Sequence, residues 1–307
     1  MTASVARHDA PTFISVHDQR EGMFESIGRS WQLVTASWRI LSQDRKLLLF
    51  PLLSGIITLL IVASFILPLV LSGAILGQLA AGPAPWYVLL FLFYVVSYFV
   101  AIFFNTALIT CVHGLLQGRE TSIGEGLSNA VRHIGPILLW AIIAATVGII
   151  LRTIQDRAGF IGRIAISIVG GIWSLVTIFV VPVLILEDKG VVDAVKESVA
   201  LFRKTWGESV AGSVSIGVIF GAIVVVGLLG VFAALFFTRS LAVMVLAVAL
   251  FILLITVVAV VSSAMQGIFV VALYTYAKTG NVPEGFGKGV LENAFVPKQP
   301  VFGSGNI

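Results

Sequence analysis

Two carboxamides interrupt the apolar runs of this 307-residue chain, Asn105 and Gln266. They stand 13 and 14 residues before Gly118 and Gly280, in matching places. An amide surrounded by hydrocarbon needs a partner. Each could hydrogen-bond a neighbouring helix, a contact averaging about 0.6 kcal/mol, or the two could line a polar path or hold a lipid headgroup. Helix bonding is the simpler reading. His113 and His133 lie near Cys111, the single cysteine, and nitrogen and sulfur donors of that kind hold metals. They lack ligand spacing such as His-x-x-x-His, so no metal is expected and the histidines read as a solvated pair. Glu187, Asp188, Asp193 and Glu197 could pair with Lys189 and Lys196, with Asp193 and Lys196 at i,i+3 spacing. Gly285, Gly287 and Gly289 follow no strand, so they read as a turn and not as a phosphate cradle. No catalytic residue, cofactor site or metal site emerges.

The elements that must position these residues are membrane helices. Apolar residues make up 58% of the chain and charged ones 11%, with a mean hydropathy of +1.06. Soluble domains average about 45–50% apolar and about 25% charged, so an ordinary globular enzyme, a disordered chain and a nucleic-acid binder are excluded. Uncharged runs occupy 47–79, 86–112, 134–151, 164–186, 209–237 and 241–277. About 20 apolar residues cross the hydrocarbon core, so each run spans once. Their lack of polar alternation argues against a β-barrel. The fold class is therefore all-α, a polytopic bundle of six transmembrane helices. Pro68 predicts a kink in the first run and Pro182 one in the fourth. The sixth run must tilt or project beyond the membrane. No early apolar segment precedes residue 47, so no cleavable signal peptide is expected.

Of the 19 Lys and Arg residues, 15 fall on the side holding 1–46, 113–133, 187–208 and 278–307. Arg45 and Lys46 directly precede the first run, and such residues favour the cytoplasmic face. Both termini are expected in the cytoplasm of a cell whose plasma membrane holds the protein. The net charge of +4 fits basic residues against anionic lipids and calls for no nucleic acid.

Three segments on that side share a helical stripe. Residues 24–43 align Ile27, Trp31, Val34, Trp38 and Leu41. Residues 122–134 align Ile123, Leu127, Ala130 and Ile134, and residues 190–206 align Val195, Val199, Phe202 and Trp206. Each is expected to be an amphipathic helix lying in the interface. Trp31, Trp38 and Trp206 would anchor it, and Lys196 and Arg203 would snorkel beside the stripe. A unit of surface helix, span, span thus recurs over 24–112, 122–186 and 190–277. It forms one domain, 23–296, between disordered tails 1–22 and 297–307. Gly217 and Gly221 form a small-xxx-small pair, expected to pack helices within the monomer or, failing that, at a dimer face.

The motif Gly28-Arg29-Ser30-Trp31 … Ala36-Ser37-Trp38-Arg39 … Leu47-Leu48-Leu49-Phe50-Pro51, with six spans following, resembles a family of uncharacterised bacterial and archaeal membrane proteins. More loosely, Pro182 … Leu186-Glu187-Asp188-Lys189-Gly190 … Ala194-Val195-Lys196-Glu197-Ser198 is similar to a loop in the membrane domain attached to some glycerophosphodiester phosphodiesterases. Their separate catalytic domain has no counterpart here, so the resemblance implies no activity.

None of the six runs holds a charged residue. Ion-coupled transport, proton relay and intramembrane hydrolysis rely on such groups, and all three are disfavoured. The leading expectation is a non-catalytic scaffold, partner subunit or envelope-maintenance factor. Its partners would be the lipid bilayer and either a second copy or another membrane protein. The alternative is a transporter or channel for a lipid or weakly polar solute, which a cavity lined by both amides would favour. A membrane enzyme working at headgroup level around Glu187–Lys204 ranks third.

Overall fold

The computed structural model describes residues 34–71, 84–238, 240–281, 283 and 286. The segments 1–22 and 297–307, Trp31 and the glycines at 285, 287 and 289 lie outside them. All regular structure among the described residues is helical. Helix α1 covers 34–43 and is followed by a 3₁₀ turn, Arg45–Leu48. Next come α2 (Leu49–Leu71), α3 (Ala84–Leu116), α4 (Ile123–Arg132) and α5 (Ile134–Arg157). The chain continues through α6 (Phe160–Val176), α7 (Val180–Leu186), α8 (Val191–Lys204), α9 (Trp206–Phe237) and α10 (Leu241–Thr279).

Six stretches are long and apolar enough to cross a membrane: Arg45–Pro68, Val88–Leu116, Ile134–Arg157, Phe160–Leu186, Ser215–Phe237 and Leu241–Thr279. The protein is an all-α polytopic bundle. Local chemistry sets the boundaries. Asp44 accepts the Lys46 N–H at 3.0 Å and opens the turn into α2. Ser122 accepts the Glu125 N–H at 3.1 Å, starting α4 as a capping residue. Gly118 and Gly280 follow α3 and α10 with φ of 73° and 71°, the left-handed conformation that glycine adopts freely at a helix end.

Helix α3 is the hub and packs on α2, α4, α5, α7 and α10. The core gathers Phe50, Leu108, Ile109, Phe179, Ile268 and Phe269 around it. Close approaches use glycines at chosen points. A Cβ on Gly126 would meet the Ala107 carbonyl oxygen at 2.7 Å, which is why α4 can lie against α3. A Cβ on Gly267 would stand 2.5 Å from Leu108 Cδ2, where α10 meets α3.

Several expectations need correction. The pair Gly217 and Gly221 has no described atom within 4 Å of a Cβ position. The α9–α10 hairpin instead closes at Gly227, against Leu254 and Phe251. Spacing marks small residues but not the face that meets a partner.

The buried stripe of α8 is Val191, Ala194, Ser198, Leu201 and Phe202, one position back from the expected Val195 and Val199. In α1, Ser37 and Ile40 are buried with Val34 and Leu41, whereas Trp38 is 53% exposed. These stripes face protein: α4 lies on α3, and α8 on α7, α6, α5 and α10. Ile134, expected on the α4 stripe, is exposed at the start of α5.

The fourth span is broken between Val176 and Val180, upstream of the expected Pro182 kink. The reason is local, because a proline ring clashes with the carbonyl four residues back, here that of Ile178. Pro182 therefore sits in the first turn of a new helix, α7, where its missing N–H has no cost. The third span runs on to Arg157, beyond the expected limit at 151, and Arg152 donates to the Tyr94 hydroxyl at 2.9 Å. The 39 residues of α10 measure about 58 Å at 1.5 Å per residue. Its buried residues fall between Val258 and Tyr274, and its first half pairs with α9.

Candidate functional site

A cavity of about 400 Å³ lies where α2, α3, the broken fourth span and α10 converge. Asn105 from α3 and Gln266 from α10 both line it. The remaining polar lining comes from Ser54 on α2, Ser174 on α6, Thr177 at the break and Ser263 on α10. Asn105 lies 11 residues before Leu116 and Gln266 lies 13 before Thr279, so both are about 17–20 Å from the helix ends. That places the cavity inside the apolar bundle, in the half nearer Arg45 and Thr279.

The hydrogen-bonding capacity of this lining is only partly used. Gln266 donates from Nε2 to Ser262 Oγ at 3.2 Å, and Thr177 donates to the Trp173 carbonyl at 2.8 Å. The Asn105 amide makes no hydrogen bond to a described residue. Its Oδ1 lies 3.8 Å from the Cβ position of Gly267, an ordinary van der Waals distance, and it is Leu108 Cδ2, at 2.5 Å, that requires glycine there. Away from bulk water an amide without a partner is costly. The cavity therefore offers neutral donors and acceptors to whatever fills it.

The break that shapes one wall is held by α8. The buried Ser198 hydroxyl donates to the Val176 carbonyl at 2.7 Å and accepts the Phe179 N–H at 3.1 Å. Both backbone groups lose their helical partners at the interruption, and one side chain supplies both. The sequence alone points to no role for Ser198. A serine below a proline-bearing span carries no signal of its own.

Below the break an ion cluster ties the fourth span to the end of α10. Tyr274 donates to Glu187 at 2.6 Å, and Lys278 bonds Glu187 at 2.9 Å and Glu197 at 2.6 Å. Lys189 adds 2.8 Å to Glu187 and 3.6 Å to Glu197. Partial burial alone would raise the Glu187 carboxyl. The hydrogen bonds from Lys189, Tyr274 and Lys278 outweigh it and hold the group down to about 2. The Lys278 ammonium likewise lowers Glu197, and the Glu187 carboxylate raises Lys189. Local spacing pairs Lys189 with these acids but gives no sign of Lys278 and Tyr274, which are about 80–90 positions away in the chain.

The other candidates disperse. Asp193 and Lys196 pair at 3.4 Å as expected, on the exposed face of α8 that also carries Arg203. Trp206 opens α9, and its side chain is not among the described ones. His133 is not solvated: it is buried, with Nδ1 2.8 Å from the Asn129 carbonyl and Nε2 2.7 Å from Asp188. His113 bonds Gln117 at 2.9 Å, and Cys111 donates to the Ser122 carbonyl at 3.4 Å. Among the described residues no three His, Cys, Asp or Glu side chains come close enough to hold a metal ion.

Comparison with the curated proteins and with the solved structures gives no match. A family of unknown function does match, over residues 84–285. That stretch contains α3 to α10 and so three walls of the cavity, although the Gly28–Pro51 motif lies before it. The chain, a six-span helical protein with a polar cavity beside its broken fourth span, belongs to the DUF6159 family of unknown function.

Proposed function

We propose that this is a non-catalytic membrane protein that binds a lipid or weakly polar solute in the cavity and carries or presents it. The observation behind this reading is that Asn105 and Gln266, 161 positions apart in the chain, line one cavity. The sequence alone ranks a scaffold first. Two amides and four hydroxyls around one space at the depth of the apolar spans reverse that order. A broken helix adds support, because irregular backbone at membrane depth belongs where it lines a cavity or is buried in protein. We further place the protein in the plasma membrane with both termini cytoplasmic, on the strength of Arg45 and Lys46 before the first span. Exposed Lys196, Arg203 and Lys204 then face the headgroups, where anionic lipids are natural partners. Trp31, Trp38 and Trp206 would anchor that side at the interface.

Native mass spectrometry of protein released gently from its own membrane tests the binding role. A bound species of defined stoichiometry should survive activation in the wild type and be lost in Asn105→Leu and Gln266→Leu. Retention of the same species in both variants would remove the cavity from the explanation.

A further inference from the structure

We propose that the occupant is a lipid with an uncharged, hydroxyl-bearing head, of which diacylglycerol is the simplest chemical type. It would pass sideways between α6 and α10 and leave its chains in the bilayer. This rests on the cavity being a binding site and adds the ligand class and the route. The lining offers six neutral polar side chains, Ser54, Asn105, Ser174, Thr177, Ser263 and Gln266, and no ionisable one. A phosphate placed there would be an unpaired charge at low dielectric, a severe cost. The nearest cation on α10, Lys278, is 12 residues beyond Gln266, about 18 Å along the helix. It is already bound to Glu187 and Glu197. Hydroxyl and ester groups, in contrast, find donors and acceptors in carboxamides and hydroxyls.

The route follows from which lining residues are exposed. Ser174, Ser263 and Gln266 are exposed although they line the cavity. They stand on α6 and α10, which flank the opening. Helix α6 packs chiefly on α5 and α8, and α10 on α9, α3 and α2. The opening therefore faces the surface that lipid chains cover. The rest of the lining is largely aliphatic and aromatic, including Ile102, Phe104, Leu108, Ile109, Val181 and Val270, and suits the first carbons of the chains. The volume falls in the range of ligand pockets, about 300–1,000 Å³. It is too small for a whole two-chain lipid, hence the chains outside.

The test places the full chain in phosphatidylcholine nanodiscs doped with photoactivatable diacylglycerol or photoactivatable phosphatidylglycerol of the same chains. Crosslinked peptides are then mapped by mass spectrometry. The diacylglycerol probe should mark the peptides holding Ser174 and Ser263–Gly267 at least about tenfold more than the phosphatidylglycerol probe, because an unpaired phosphate charge costs more than one mispaired polar group. Ser263→Trp, a change at an exposed position, should abolish that preference while Cys111 stays protected from thiol reagents. Equal marking by both probes, unaffected by Ser263→Trp, would overturn the proposal. Preference for phosphatidylglycerol would overturn the uncharged head but keep the cavity as a binding site. Absence of diacylglycerol crosslinks, with free glycerol at millimolar concentration displacing the native mass-spectrometry adduct, would overturn the lipid and point to a water-soluble solute. Loss of the native mass-spectrometry adduct in the amide variants remains a separate result, so the binding reading and the lipid class fail independently.

Discussion

Glu187 accepts from Lys189, Tyr274 and Lys278 together, and this arrangement defines a pH window. Its carboxyl lies at about 2 in the folded chain against an ordinary value of 4.5. A depressed carboxyl contributes stability that is complete above the unfolded value and lost as pH falls through the folded one. The cluster should therefore hold above pH 4.5 and weaken between 4.5 and 2. Circular dichroism melts in detergent should show the midpoint falling across that interval in the wild type. Glu187→Gln should start lower at pH 7 and fall less steeply. Parallel curves for the two proteins would mean that the cluster adds nothing to stability. At this scale the sequence was half legible. Asn105 and Gln266 stand out because carboxamides are rare in apolar runs. Ser54, Ser174 and Ser263 do not, since hydroxyls are common in spans and usually bond back to their own helix.

The broken fourth span is the element on which the cavity depends. Residues 164–186 read as one uncharged run, and hydropathy averaged over a window does not register a three-residue interruption. Pro182 signalled a bend but not its place, because the clash falls four residues upstream. Nor could periodicity find Ser198, which sits on the stripe that turns inward only once α8 has docked. Removing its hydroxyl leaves a buried N–H and C=O unpaired, each costing about 1–3 kcal/mol. Ser198→Ala should accordingly destabilise the protein by that order, whereas Pro182→Ala, in a first-turn position, should change stability by about 1 kcal/mol or less. Labelling of the buried Cys111 during thermal unfolding reports both. A large loss in Pro182→Ala with little change in Ser198→Ala would show that proline, and not the serine clamp, maintains the break. The six spans themselves were legible throughout, since length and apolarity alone define them.

For the whole molecule, six crossings return the chain to the side from which it started. The short helices α1, α4 and α8 and the Glu187 cluster then share that side with Arg45 and Thr279. If Arg45 and Lys46 set the orientation, a fluorescent protein fused after residue 307 should fluoresce in the cytoplasm. Alkaline phosphatase inserted at 158–159, between α5 and α6, should be active outside. The reverse pattern would move the cavity to the opposite leaflet. The central claim is that Asn105 and Gln266 bound a binding cavity, and the most direct measurement is an electron cryo-microscopy map of the protein in lipid nanodiscs. The account predicts elongated density with its head between Asn105 and Gln266 and its tail leaving between α6 and α10. Side chains closing that space, with the two amides hydrogen-bonded to each other, would contradict it.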